Sequence, residues 1–102
     1  MTDFSEIIHL LESEWDTDGF FERIRRGSYD AEQAQVILGV LRSTKMAEDE
    51  LLPRRLVSLL WYIPSFLGWQ VGRLAASGAD VVAYERFTTE IHNALEELLG
   101  TP

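Results

Sequence analysis

The feature that most constrains this chain is a helical spacing of apolar residues in six successive segments, each bounded by residues that start or stop helices. The last segment is the clearest, because apolar side chains recur every three or four positions from Val81 to Leu98. Asp80 precedes this segment and Gly100 follows it, as expected for an N-cap and a C-terminal stop. Strand punctuation is absent from the sequence, so an all-α fold is predicted.

The first two predicted helices lie in residues 1–27. Thr2 or Asp3 is expected to cap the first helix, and the turn Asp16–Gly19 is expected to end it. Gly27 lies where the left-handed residue after a helix belongs, so the second helix should end there. The apolar positions of these two helices are Phe4, Ile7, Ile8, Leu11, Trp15, Phe20, Phe21 and Ile24.

Four further helices are predicted after residue 27. Ser28 or Asp30 should begin the third helix, and Pro53 is expected in the first turn of the fourth. Because proline disfavours helical geometry in the residue before it, the fourth helix should end or kink just before Pro64. A fifth helix should then run on to Gly78. The positions expected to be buried in the third and fourth helices are Ala34, Ile37, Leu38, Leu41, Leu56, Val57, Leu60 and Trp61.

The length and composition fit a single small domain. The chain has 102 residues, of which 46% are hydrophobic and 25% are charged. We therefore expect a compact bundle of about five to six helices that forms one domain over residues 1–102. The absence of cysteine excludes disulfides, thiolate metal sites and a cysteine nucleophile.

Location is predicted from the apolar runs. The first residues show neither the basic nor the apolar region of a signal peptide, so a cytoplasmic location is expected. The longest apolar run, residues 56–69, is interrupted by Pro64 and Gly68 and is too short to span a bilayer comfortably. No membrane association is expected.

Negative charge dominates the chain and is unevenly distributed. The net charge is −8, and residues 1–22 carry seven acidic side chains without a lysine or arginine. Residues 23–78 carry eight basic and five acidic side chains, and the remainder is again acidic. Such a chain is repelled by nucleic acid phosphates and by anionic lipid. Charge therefore favours a basic protein as the partner and argues against nucleic acid.

Two acidic stretches are the main candidate binding surface. An acidic residue occupies every second position from 12 to 18, and three acidic residues are consecutive at positions 48–50. Like charges this close repel each other in the folded state, so a function for them is plausible. The alternative is a solvated face that only maintains solubility. The residues expected to bind a partner are Glu12, Glu14, Asp16, Asp18, Glu22, Glu48, Asp49 and Glu50.

The segment Leu60–Trp69 is the most distinctive in the chain. One interpretation is a buried corner between two helices, formed by Trp61, Tyr62, Pro64, Phe66 and Trp69. In that corner Trp61 and Phe66 should lie inside, and the polar edges of Tyr62 and Trp69 should find hydrogen-bond partners. The other interpretation is a partly exposed aromatic groove that anchors a partner. The buried corner is the favoured interpretation.

Catalytic and metal-binding patterns are weak. Glu6 and His9 have the Glu-x-x-His spacing of carboxylate-bridged metal centres, but such centres need a second pair. That pair is missing, because Thr89 stands three residues before His92. The two histidines are far apart, and no glycine-rich phosphate loop occurs. We therefore expect a protein that is not an enzyme and that uses no metal or cofactor.

Three features of the sequence occur together: an early Trp15, the central segment Leu60–Phe66 and the late pattern Tyr84-x-x-Phe87-x-x-x-Ile91. In these features the chain resembles small all-helical immunity proteins of bacterial contact-dependent inhibition and polymorphic toxin systems. The resemblance implies a monomer or weak homodimer that neutralises a cognate toxin by stoichiometric binding. The toxin would be a basic, nuclease-type domain. Two alternatives stay open, a self-associating helical adaptor and a module that binds a small ligand between helices four, five and six.

Overall fold

The computed structural model describes residues 3–102, and within this range the chain forms six α-helices and no β-strand. This confirms the predicted all-α fold. The helices are α1 (Ser5–Trp15), α2 (Phe20–Arg25), α3 (Ala31–Ser43), α4 (Arg54–Trp69), α5 (Val71–Ala76) and α6 (Val81–Leu99).

One continuous apolar core joins the helices. The most extensive helix pair is α3 with α6, and α6 also packs on α4 and α5, while α1 packs on α2 and α4. The predicted stripe of α3 is buried, and that of α6 is buried from Tyr84 to Leu95 and partly buried at its ends, Val81 and Leu98. The Tyr84 side chain is completely buried, and its hydroxyl donates a hydrogen bond of 2.7 Å to the Leu67 carbonyl, which links the start of α6 to the end of α4.

The predicted helix caps are largely confirmed. Asp30 accepts a hydrogen bond of 3.1 Å from the Gln33 amide, and Asp80 accepts one of 3.0 Å from the Ala83 amide. Each bond satisfies an amide that has no partner inside its own helix. Gly27 has a φ of 91°, the left-handed conformation predicted for it. At α1 the N-cap residue is Phe4 and makes no side-chain cap hydrogen bond, so Asp3 is not the cap; it lies one residue earlier and accepts from the Ser5 amide. The alternative cap, Thr2, lies outside the described residues.

Of the two outcomes predicted at Pro64, a helix end or a kink, the helix end is wrong. Helix α4 continues through Pro64 to Trp69, and the break falls at Gln70. Burial explains the continuity, because the buried residues stay in helical phase on both sides of the proline: Leu56, Leu59, Leu60, Ile63, Phe66 and Leu67. The helix tolerates one missing hydrogen bond, since Pro64 has no amide to donate to the Leu60 carbonyl. Pro53 precedes the helix as its N-cap residue.

Candidate interaction surface

Helix α4 exposes two tryptophans to solvent. Trp61 is 59% exposed and Trp69 is 66% exposed. They lie on the side of α4 opposite the core, together with the exposed Val57. The prediction that Val57 and Trp61 are buried is therefore wrong, because the core is filled from the other side by Leu59, Leu60 and Ile63.

Small residues separate the two tryptophans on the exposed side of α4. Trp61 and Trp69 are eight positions apart, which corresponds to about 12 Å along a helix axis. The exposed positions between them carry the small residues Ser65 and Gly68. A methyl group built on Gly68 would meet no atom within 4 Å, so the surface there is open. We call Val57, Trp61, Tyr62, Ser65, Gly68 and Trp69 the tryptophan face.

Tyr62 holds this face against the protein. Its ring centroid lies 5.7 Å from the rings of both Trp61 and Trp69. On its inner side Tyr62 lies 5.7 Å from Trp15, which in turn stacks on Phe21 at 4.2 Å. Edge-to-face and stacked rings at these distances attract each other. The tryptophan face is therefore supported by a chain of aromatic contacts that reaches the core.

The buried-corner interpretation fails for most of the aromatic segment. Phe66 is buried as predicted, with 1% of its surface exposed, but Trp61 and Trp69 are not. Within the described part of the chain, neither exposed indole N–H nor the Tyr62 hydroxyl has a hydrogen-bond partner. The structure instead agrees with the second interpretation, a partly exposed aromatic surface.

Paired charges border the tryptophan face on the side of α1 and α2. Arg55 contacts Glu12 at 2.9 Å, and Arg25 contacts Glu22 at 3.0 Å. The Arg25 guanidinium also lies 5.2 Å from the centre of the Phe66 ring. Two of the predicted binding residues, Glu12 and Glu22, thus lie beside this surface as ion-pair partners. An apolar centre with a polar border is the usual construction of a protein–protein interface.

Glu14 is not a surface residue, so its prediction as a binding residue is wrong. Only 7% of it is exposed. One carboxylate oxygen accepts a 3.2 Å hydrogen bond from the Phe20 amide, and the other accepts from the Gln33 side chain. Glu14 therefore connects α1, α2 and α3 and is not available to a partner.

The remaining predicted acids lie in two separate loops. Asp18 is exposed in the α1–α2 turn and pairs with Arg26 at 3.5 Å, while Asp16 accepts from the Thr17 amide. Glu48 and Asp49 are exposed in the segment between α3 and α4. Glu50 in that segment accepts a 3.0 Å hydrogen bond from the Ala47 amide. Sequence reasoning thus found exposed acids but treated a structural carboxylate as one of them.

The clear pKa shifts have structural causes. The hydrogen bond from the Gln33 amide lowers the pKa of the Asp30 carboxyl, and bonds from Ser5 lower the pKa of Asp3. Burial raises the pKa of Tyr29 to about 12 and also raises the pKa of Tyr84. Hydrogen bonds therefore lower the pKa values of the two aspartates, and desolvation raises those of the two tyrosines.

Residues 3–102 contain neither a cluster of metal-binding side chains nor a helix that could cross a membrane. No group of three or more histidine or acidic side chains is arranged to hold a metal ion in this part of the chain. In the same range, no helix has both the length and the apolar character needed to cross a membrane.

Comparison of the chain with protein-family models, with curated proteins and with solved structures finds no match. The fold and the tryptophan face therefore define an all-helical protein with an exposed aromatic surface, and they identify no family. The resemblance to immunity proteins stays a prediction from the sequence.

Proposed function

We propose that this protein is an immunity-type inhibitor that neutralises a toxin by binding it stoichiometrically through the tryptophan face. The observation that carries the proposal is the exposure of both Trp61 and Trp69 on one side of α4. Tryptophan is among the residues that contribute most to binding energy at protein interfaces.

Covering the two exposed indole rings with a partner surface would lower the free energy of the complex. Burial of the exposed part of each indole would contribute about 3 kcal/mol before the entropy cost of association. The contacts of Tyr62 with both rings restrict their motion in the free protein, which reduces that entropy cost. The tryptophan face is thus suited to bind a protein surface without a large rearrangement.

Charge supports a basic partner. The net charge of −8 attracts a basic domain from a distance and increases the rate of encounter. A basic nuclease-type toxin domain has the complementary charge. A second copy of this chain carries the same negative charge and is repelled, which weakens the self-associating adaptor as an alternative.

The small-ligand alternative has less support. Leu67, Leu74 and Tyr84, where α4, α5 and α6 meet, are all completely buried. The hydrogen bond between Tyr84 and the Leu67 carbonyl lies at this junction. The space in which a ligand was expected is therefore occupied by side chains.

The proposal is tested by growth of a bacterial host that expresses the C-terminal domain of the protein encoded directly upstream, with and without this protein. We expect the wild-type chain to restore growth and to form a one-to-one complex. The Trp61→Ser/Trp69→Ser variant should lose protection, because removal of a central interface tryptophan weakens binding by about 30-fold, or about 2 kcal/mol.

A matched control removes apolar groups elsewhere on the surface. Val36 and Val82 are 51% and 70% exposed on α3 and α6, away from the tryptophan face. The Val36→Ser/Val82→Ser variant should protect like the wild type, and both variants should keep wild-type helicity by circular dichroism. Full protection by a folded Trp61→Ser/Trp69→Ser variant would exclude the tryptophan face as the inhibitory surface. Toxicity of the upstream domain that the wild-type chain does not relieve would contradict the immunity function.

A further inference from the structure

A second surface lies at the other end of α4, between the segment before this helix and the C-terminal end of α6. It is an open groove, and its apolar lining comes from Met46, Leu52, Leu98 and Leu99. Leu52 and Leu98 are partly buried against the core, whereas Leu99 is 40% exposed. Neighbouring Leu51 is 92% exposed. Apolar surface is therefore available to a partner at this end of the molecule.

Three carboxylates line the same groove, namely Glu48, Glu50 and Glu97. No lysine or arginine is among its lining residues. We call this surface the acidic groove. Arg42 and Lys45 line an adjoining pocket that shares Glu97 with the groove, and Arg42 is paired there with Glu90 at 3.2 Å. The acidic groove shares no residue with the tryptophan face, and Glu50 within it accepts a hydrogen bond from the Ala47 amide.

The end of α6 adds to the negative potential. The C-terminus of a helix carries a partial negative charge, and basic side chains are favourable there. The last turn of α6 contains no basic residue and instead carries Glu96 and Glu97. Glu96 contacts His92 at 2.9 Å, whereas Glu97 lines the groove. A cation from outside the molecule would improve the electrostatics at this helix end.

We propose that the acidic groove binds a basic, amphipathic peptide segment of a partner protein, one that alternates leucine-like and arginine-like side chains. The apolar lining would cover leucine side chains and the aliphatic part of an arginine, while the Glu48 and Glu97 carboxylates would accept hydrogen bonds from its guanidinium. Nucleic acid, anionic lipid and a second copy of this chain are all negatively charged and are repelled. The inference does not depend on the proposed function, because it concerns a different surface and names its own ligand.

The test is a titration of the ¹⁵N-labelled full-length protein with synthetic peptides, followed by amide chemical shifts. The probe is acetyl-(Leu-Arg)₃-amide. One control, acetyl-(Gly-Arg)₃-amide, has the same charge without apolar side chains, and the other, acetyl-(Leu-Glu)₃-amide, reverses the charge. We expect saturable shifts at Leu52, Leu98 and Leu99 with the probe and weaker or no binding with either control.

Variants separate a specific site from general attraction by the charge of −8. Glu48→Gln/Glu97→Gln should weaken probe binding by about 10-fold, because two of the proposed charge-assisted hydrogen bonds are lost. Glu32→Gln/Glu85→Gln changes the net charge equally at exposed positions of α3 and of the first half of α6, which do not line the groove, and should leave the affinity unchanged. Equal weakening by the two variants, equal binding of the glycine–arginine peptide, or shifts confined to the tryptophan face would overturn the inference.

Discussion

At the scale of single residues, Glu14 lies in α1 but caps the start of the next helix, α2. Helix α2 begins after Gly19, which has no side chain to accept a hydrogen bond from the first amides of the helix. Glu14, from the end of α1, accepts from the Phe20 amide instead. Gly19 is required at this point, because a Cβ there would lie 2.3 Å from the Ser13 carbonyl oxygen. The close approach of the end of α1 to the start of α2 thus places the Glu14 carboxylate within hydrogen-bond distance of the Phe20 amide.

We expect Glu14→Ala to lower the free energy of unfolding by about 1–3 kcal/mol, because the buried Phe20 amide loses its acceptor. The Gln33 side chain loses its acceptor as well. Urea denaturation followed by circular dichroism measures the change. Glu6→Ala, at an exposed position of the same helix, is the control and should change stability by no more than about 0.5 kcal/mol. Equal stability of the two variants would show that Glu14 is not a structural residue.

The sequence contains a signal for the burial of Glu14 that its charge obscures. Ile7, Leu11 and Glu14 follow one another at helical spacing, so Glu14 lies on the apolar side of α1. A count of acidic residues treats Glu14 like Asp16 and Asp18. Only the three-dimensional structure shows that the Phe20 amide and the Gln33 side chain are within reach to satisfy its carboxylate.

At the scale of the helix, α4 shows the limit of predicting which side of an apolar segment is buried. Apolar residues surround most of this helix, so hydrophobicity alone does not choose between Leu59 and Trp61 for the core. In the structure the side of α4 that carries Leu59 and Ile63 is buried, and both tryptophans are exposed. The choice follows from packing against α1 and α6, which local sequence patterns do not describe.

Replacement of Pro64 tests the cost of the proline inside α4. We expect Pro64→Ala to stabilise the fold by about 1–3 kcal/mol, because alanine donates the amide that the Leu60 carbonyl lacks and favours a helix. The gain should be measured by urea denaturation and by an increase in Tm. Binding through the tryptophan face should be retained, since the proline is only half-buried and lies outside that set of residues.

The neighbouring Ser65 provides the control for this substitution. Ser65→Ala changes helix propensity at an exposed position of α4 and restores no hydrogen bond, so it should stabilise by only about 0.5 kcal/mol. A Pro64→Ala variant less stable than the wild type would show that the proline ring, or a bend it causes, contributes to packing.

At the scale of the whole molecule, the helices could be predicted because their signals are local. Asp30, Asp80 and Gly27 specify helix ends through hydrogen bonds or backbone conformation within a few residues. The candidate surfaces could be predicted only in part, because they depend on contacts between distant segments. Leu52 and Leu98 meet in the acidic groove although 46 positions separate them in the chain.

In the free protein, the net negative charge opposes self-association, whereas the tryptophan face favours it. A change of pH should distinguish the two effects, because it alters the charge. At pH 7 the charge of −8 makes two copies of the chain repel each other, so their tryptophan faces do not meet. We therefore expect a monomer of 11.7 kDa in sedimentation equilibrium. Near pH 4.6, the isoelectric point, this repulsion disappears and the apolar faces are free to associate. The average mass should then increase towards that of a dimer.

Substitution of one tryptophan identifies the surface responsible for this association. Trp69→Ala should remain monomeric at both pH values, whereas Val82→Ala, at an equally exposed apolar position on α6, should behave like the wild type. Circular dichroism at each pH confirms that the chains stay helical. A dimer already present at pH 7 and abolished by Trp69→Ala would instead favour the self-associating adaptor, because attraction between the faces would then exceed the repulsion of the whole molecule.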